Sequence, residues 1–132
     1  MSAKILVVDD NPTNLKLVSD VLAFEGHDIL KAVDAEEAQL VLGHTLPDLI
    51  LMDIALPGMD GLTLTRKLKA DERTRHIRIV ALTAFAMKGD DQKAFSAGCD
   101  GYITKPIDTR QFPTQVAKFL DGLPLRTSQP PI

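Results

Sequence analysis

The chain has 132 residues, enough for one domain with a real hydrophobic core. Hydrophobic residues make up 45% and charged residues 25%, and the formal net charge is −3, which argues against direct nucleic-acid binding because that usually leaves a basic footprint. The single cysteine, Cys99, excludes an internal disulfide, and there is no signal peptide or membrane-length apolar run, so a soluble cytoplasmic protein without a membrane partner is expected.

Short β-branched runs alternate with amphipathic stretches. Ile5-Leu6-Val7-Val8 predicts a buried strand, and Pro12 to Glu25 a helix stopped by Gly26, with Leu15, Val18, Val21 and Leu22 at helical spacing. Asp28 to Val33 is a weaker strand. Asp34 with Glu37 three residues on forms a capping box for a helix through about Gly43. Leu49-Ile50-Leu51-Met52 predicts a central strand, and Leu62 to Ala70 a helix. The charged stretch from Lys67 to Arg78 reads largely as a solvated loop. Ile79-Val80-Ala81-Leu82 is a fourth strand, followed by a helix from about Lys88 to Ala97 that Gly98 ends. Gly101-Tyr102-Ile103 is a short fifth strand. Asp108 or Thr109 is expected to cap a last helix carrying Phe112, Val116, Phe119 and Leu120 on one face. Residues 1–122 are expected to form the domain, and 123–132 a Pro-rich tail or linker.

Five strand-then-helix repeats imply an α/β fold, a doubly wound parallel sheet of five strands with five helices. The common flavodoxin-like order 2-1-3-4-5 puts strands one and three side by side at the switch point, where such sheets bind ligands beyond the carboxyl ends of their strands. Each well-defined strand delivers a polar group to that edge: Asp9 and Asp10, Asp53, Thr83 and Lys105. Three carboxylates and one ammonium leave a surplus of negative charge. One like-charge contact at ~4 Å costs about 4 kcal/mol at an effective dielectric near 20. A divalent cation would relieve it, and hard oxygen ligands without His or Cys favour Mg²⁺, which usually works beside a phosphate. Thr83 and Lys105 suit phosphoryl oxygens.

These residues carry a resemblance. Val7-Val8-Asp9-Asp10-Asn11, Leu51-Met52-Asp53-Ile54 with Pro57-Gly58-Met59-Asp60-Gly61, Ala81-Leu82-Thr83-Ala84 and Gly101-Tyr102-Ile103-Thr104-Lys105-Pro106 resemble the response-regulator receiver family from about Lys4 to Leu120. The segment Thr83 to Asp90 is most similar to small single-domain cell-cycle regulators and hybrid-kinase receivers. The resemblance implies a two-component switch with Asp53 as phosphoacceptor. Asp10, Asp53 and the Ala55 carbonyl would bind Mg²⁺ directly, and Asp9 through water. Lys105, Thr83 and the N–H groups of Ala55 and Ala84 would hold phosphoryl oxygens. The donor would be the phosphohistidine of a sensor histidine kinase or a histidine phosphotransfer protein. Thr83 and Tyr102 would act as the switch toward a downstream protein on the face of helix four, strand five and helix five. It also implies a cis Lys105–Pro106 bond, with Ala55 and Phe85 flanking slow dephosphorylation, and no activity beyond the protein's own phosphorylation and its reversal.

Blander readings set Asp9 and Asp10 as helix caps, Lys105 as a solvated loop lysine, and Tyr102 as partly core. His27, His44 and His76 read as surface residues and Cys99 as inert. Two rival functions remain: an aspartyl phosphohydrolase, which wants a second acid two residues after its nucleophile where Asn11-Pro12 follow Asp10, and a receiver-like module that binds without phosphorylation. A stand-alone regulator is expected ahead of a receiver excised from a longer protein.

Overall fold

The computed structural model describes residues 3–83 and 90–121. Ten elements alternate along the chain: β1 Lys4–Val8, α1 Pro12–Phe24, β2 Asp28–Ala32, α2 Ala35–His44, β3 Leu49–Asp53, α3 Gly61–Ala70, β4 Arg78–Thr83, α4 Asp90–Ala97, β5 Gly101–Thr104 and α5 Phe112–Leu120. The strands form one parallel sheet in the order β2-β1-β3-β4-β5, the expected flavodoxin-like arrangement.

Strand periodicity splits the core into two layers. Side chains alternate across a strand, so Ile5, Val7, Leu49, Leu51, Val80, Leu82 and Ile103 pack with Leu15, Val18 and Leu22 of α1 and Phe112 and Val116 of α5. Leu6, Val8, Ile50, Met52, Ile79 and Ala81 face the opposite way, against Ala35, Ala38, Leu42, Leu64, Leu68 and Ala94. This two-sided burial is why β1, β3 and β4 read as unbroken apolar runs. The edge strand β2 is buried only at Ala32.

The helices start where short polar side chains accept free N–H groups. Asn11 caps α1, accepting from Thr13 and Asn14 at 2.9 and 3.1 Å. Asp34 caps α2 through the Glu37 N–H at 2.8 Å, while Glu37 reaches back to the Val33 N–H at 3.0 Å. Asp60 caps α3 through the Thr63 N–H at 2.8 Å. Gly26 and Gly98, at φ 93° and 106°, take the left-handed turn that ends α1 and α4.

Several expectations are corrected. Neither Asp108 nor Thr109 caps α5: Asp108 accepts the Arg110 N–H at 2.9 Å in a turn of its own, and the helix begins at Phe112 with no side-chain cap. Fully buried Phe112 and Val116 hold α5 instead, each such side chain contributing about 1.5–3 kcal/mol. The stretch from Lys67 to Arg78 is not a simple solvated loop. Its first residues complete α3, Ile77 and Thr74 are buried, and the Thr74 hydroxyl donates to the Leu68 carbonyl at 2.6 Å. Lys69 donates to the Ile77 carbonyl at 2.8 Å and pairs with Asp100 at 3.1 Å. His27 is half-buried and its Nδ1 accepts the Ala3 N–H at 3.1 Å, whereas His44 and His76 are exposed. The expected start of α4 at Lys88 and the tail 123–132 lie outside the described residues. Among the described residues, no helix is long and apolar enough to cross a membrane.

Candidate functional site

The register of the sheet brings the polar strand ends together. Val8 pairs with Met52, so Asp9 and Asp53 emerge side by side from β1 and β3. Asp53 pairs with Leu82, and Thr83 with Thr104, which leads directly into Lys105. A lysine stem is long enough to recross the neighbouring strands, ~4.8 Å apart, toward the acids. The Lys105 ammonium lies 3.1 Å from Asp9 Oδ2 and 3.1 Å from Asp53 Oδ2. Lys105 is therefore not a solvated loop lysine: its side chain is 15% exposed, against 0% for Asp9 and 7% for Asp53.

Asp9, Asp10 and Asp53 place one carboxylate oxygen each within 4.8 Å of one another. Neither Asp9 nor Asp10 is the helix cap, because Asn11 does that work. Asp9 does turn the chain into α1, its Oδ1 accepting the Asn11 N–H at 2.9 Å. Asp10 is exposed at the mouth. Asp53 Oδ1 accepts the Ala55 N–H at 2.9 Å, which fixes the carboxylate's rotation and leaves Oδ2 toward Lys105.

Burial pushes the Asp9 carboxyl above its ordinary value, against the lowering pull of the Asn11 N–H and Lys105. For Lys105, burial pulls downward, yet the bonds and charges of Asp53 and Asp9 outweigh it and hold the ammonium above its ordinary value. Two acids share one lysine, so the arrangement favours the ammonium. The donor set is three hard oxygen ligands with no His or Cys, two positive charges short of neutrality beside Lys105, which fits Mg²⁺.

Thr83 ends β4, buried, with its carbonyl accepting the Lys105 N–H at 2.7 Å. The Lys105–Pro106 bond is cis, as the resemblance implied. Tyr102 is not partly core: it is 39% exposed on β5, its ring edge-on to exposed Phe95 with centroids 6.1 Å apart. Ala55 is exposed at the site's rim. Ala84, Phe85 and Lys88 lie outside the described residues. Cys99 is buried and its thiol is pushed up by burial, consistent with an inert core residue.

Sequence reasoning quotes Gly61 only as the end of the Pro57-to-Gly61 motif and gives it no role. A Cβ there would run into the Asp53 carbonyl oxygen and lie 2.8 Å from Ile54 Cα and 2.9 Å from Met52 Cγ. Nothing in a single glycine after Asp60 signals that contact. It depends on where α3 crosses the end of β3.

Comparison with known proteins places this geometry. The family model of the response regulator receiver domain matches residues 5–117. The polar-differentiation response regulator DivK of Brucella ovis is 41% identical over 120 residues, covering 91% of this chain and 98% of its own. Among solved structures, a CheY-like response regulator receiver domain protein from Methanospirillum hungatei superposes with a TM-score of 0.82 at 29% identity, over 92% of this chain and 95% of its own. The receiver domain of a sensor histidine kinase from Pseudomonas aeruginosa, which has a magnesium ion coordinated in its active-site cleft, superposes with a TM-score of 0.81 at 32% identity, over 91% and 98%.

Proposed function

This chain belongs to the response regulator receiver family, and on that premise we propose that it takes a phosphoryl group from a phosphohistidine onto Asp53 and signals by changing its protein contacts. It is a two-component regulator rather than a conventional enzyme. One observation carries the assignment of Asp53: the Ala55 N–H holds its Oδ1 and leaves Oδ2 facing the Lys105 ammonium on a side chain 7% exposed, whereas Asp9, at the same distance from Lys105, is fully buried.

Asp10, Asp53 and the Ala55 carbonyl would hold Mg²⁺ directly, and Asp9 through water. The magnesium ion in the P. aeruginosa receiver supports this choice. When bound, the ion neutralises the acids and the phosphoryl oxygens they would otherwise repel. The protein's own groups position the reaction. The Ala55 N–H orients the Asp53 carboxylate through Oδ1, so that Oδ2 attacks phosphorus as the imidazole nitrogen leaves. Lys105 exchanges its bond to Asp53 for one to a phosphoryl oxygen while keeping Asp9. The Thr83 hydroxyl and the Ala84 N–H complete the phosphoryl contacts.

Output follows from the new group, which carries about −2 charge and three acceptor oxygens. Thr83 turns toward it, and Tyr102, now outward against Phe95, turns into the space released beside β4. The face of α4, β5 and α5 thereby changes shape for a downstream protein, a bias between two states rather than a new fold. The donor is a sensor histidine kinase or a histidine phosphotransfer protein in the cytoplasm, and no nucleic acid is contacted directly.

The test uses acetyl phosphate with Mg²⁺. Wild type should gain one base-labile acyl phosphate and Asp53→Asn none; labelling of Asp53→Asn would refute the acceptor. Thr83→Ala should still be labelled, yet its amide spectrum around Phe95 and Tyr102 should respond weakly to beryllofluoride. Equal responses in wild type and Thr83→Ala would refute the coupling.

A further inference from the structure

We propose that Gly61 is a positioning residue for phosphorylation: the bare backbone at the start of α3 is the surface on which the Asp53 peptide rests, and any side chain there displaces the acceptor from Lys105 and its neighbouring acids. The inference rests on the Asp53 assignment above.

The contact is backbone to backbone. A Cβ on Gly61 would meet the Asp53 carbonyl oxygen first, then Ile54 Cα at 2.8 Å and Met52 Cγ at 2.9 Å. Two of these three are main-chain atoms at the end of a buried strand, which cannot swing aside as a flexible side chain would. Left-handed backbone does not explain this glycine, since among the described residues the positive-φ glycines are Gly26, Gly58 and Gly98.

Hydrogen bonds lock the same approach from both sides. The Gly61 N–H donates to the Ile54 carbonyl at 3.2 Å, and the Ile54 N–H donates to the Leu82 carbonyl at 3.2 Å, so the peptide after Asp53 is held between α3 and β4. The buried Thr65 hydroxyl donates to the Gly61 carbonyl at 2.8 Å, a back-bond that ties the Gly61 peptide to the next turn of α3. The Ala55 N–H that orients the Asp53 carboxylate lies one residue beyond this clamp. Moving the Asp53 peptide therefore moves both Asp53 Oδ1 and Oδ2 relative to Lys105.

Gly58 supplies the internal control. It lies in the same β3–α3 connection at φ 71°, with nothing among the described residues within 4 Å of a Cβ. Gly58→Ala strains the backbone without touching Asp53, whereas Gly61→Ala touches Asp53 without needing a left-handed residue.

The experiment compares wild type, Gly58→Ala and Gly61→Ala at a temperature where all are folded. Three quantities are read: the acetyl phosphate labelling rate at saturating Mg²⁺, the affinity for Mg²⁺ alone, and the metal-free amide shifts of residues 53–55. A misplacement of about 1 Å can cost on the order of 100-fold in rate, so Gly61→Ala should label at least about tenfold more slowly, bind Mg²⁺ more weakly and shift the amides of residues 53–55. Gly58→Ala should lower the melting temperature and leave all three near wild type. Equal losses in both variants, or wild-type behaviour in Gly61→Ala, would overturn the proposal. Should Gly61→Ala fail to fold, Thr65→Val removes the hydroxyl that bonds the Gly61 carbonyl and accepts from the Cys99 thiol. It should slow labelling about threefold with shifts at residues 53–55, and a wild-type rate and spectrum would overturn the proposal. If wild-type protein is not labelled at all, the phosphoacceptor assignment fails, while the metal-free shifts and Mg²⁺ affinities still judge Gly61.

Discussion

The two ends of the sheet handle charge in opposite ways. Where the strands begin, charged side chains are spent on the backbone. Asp100 accepts the Ile79 N–H at 2.8 Å while pairing with Lys69, Arg78 donates to the Phe119 and Asp121 carbonyls at the end of α5, and Asp48 accepts the Lys4 N–H at 2.9 Å. Where the strands end, three carboxylates crowd around one lysine. Pairing at one pole stabilises the fold. Surplus charge at the other costs stability unless a cation arrives. Local propensity cannot tell the two poles apart; only the topology that gathers the strand ends can.

The sharpest way to break this contrast is Lys105→Ala. It leaves Asp9 and Asp53 without their shared cation, so metal-free stability should fall by about 2–3 kcal/mol, less than the ~3–5 of a wholly buried pair because Lys105 is partly exposed. Mg²⁺ should bind this variant more tightly than wild type, as measured by calorimetric titration, while acetyl phosphate labelling is lost. Weaker Mg²⁺ binding would mean that the lysine does not compete for the same oxygens.

At the other pole, Asp100→Ala should cost about 1–2 kcal/mol in chemical denaturation by leaving the Ile79 N–H without its carboxylate. Its labelling rate should match wild type. A slower rate would show that the structural pole reaches the site.

A smaller effect concerns His27, whose imidazole is held below its ordinary range by burial and whose Nδ1 accepts the Ala3 N–H. The folded pKa is depressed, so the unfolded chain takes up the proton first. The stability contribution is complete above about pH 6.5 and is lost as pH falls through the folded value. His27→Gln should flatten the difference in unfolding midpoint between pH 7.5 and pH 5.5, and an unchanged difference would place the pH response elsewhere. The smallest effect is expected at the exposed Lys16–Asp20 pair on α1, where Lys16→Ala should leave the melting temperature unchanged.

Much of this was legible in the residues. Apolar runs of four at Ile5 and Leu49 marked the central strands, and Asp9, Asp53, Thr83 and Lys105 fell at strand ends, so a strand order was enough to gather them. The capping box at Asp34 and the stops at Gly26 and Gly98 follow from local chemistry. What failed to show depends on tertiary contact. Ile77 and Thr74 look like parts of a charged loop until α3 and β4 enclose them. The start of α5 is set by buried Phe112 rather than by Asp108, whose carboxylate serves its own turn. Tyr102 follows the alternation of β5, buried at Gly101 and Ile103 and open between them, which a three-residue run is too short to reveal.

The claim that surplus charge at the strand ends is kept for a cation is tested most directly by unfolding wild type and Asp10→Asn in EDTA and in Mg²⁺. Wild type should gain stability with Mg²⁺ as RT ln(1 + [Mg²⁺]/Kd), because only the folded state gathers the three acids. Asp10→Asn should be more stable than wild type in EDTA, relieved of one like charge, and should respond little to Mg²⁺. The same Mg²⁺ stabilisation in both proteins, with no gain for Asp10→Asn in EDTA, would contradict the account.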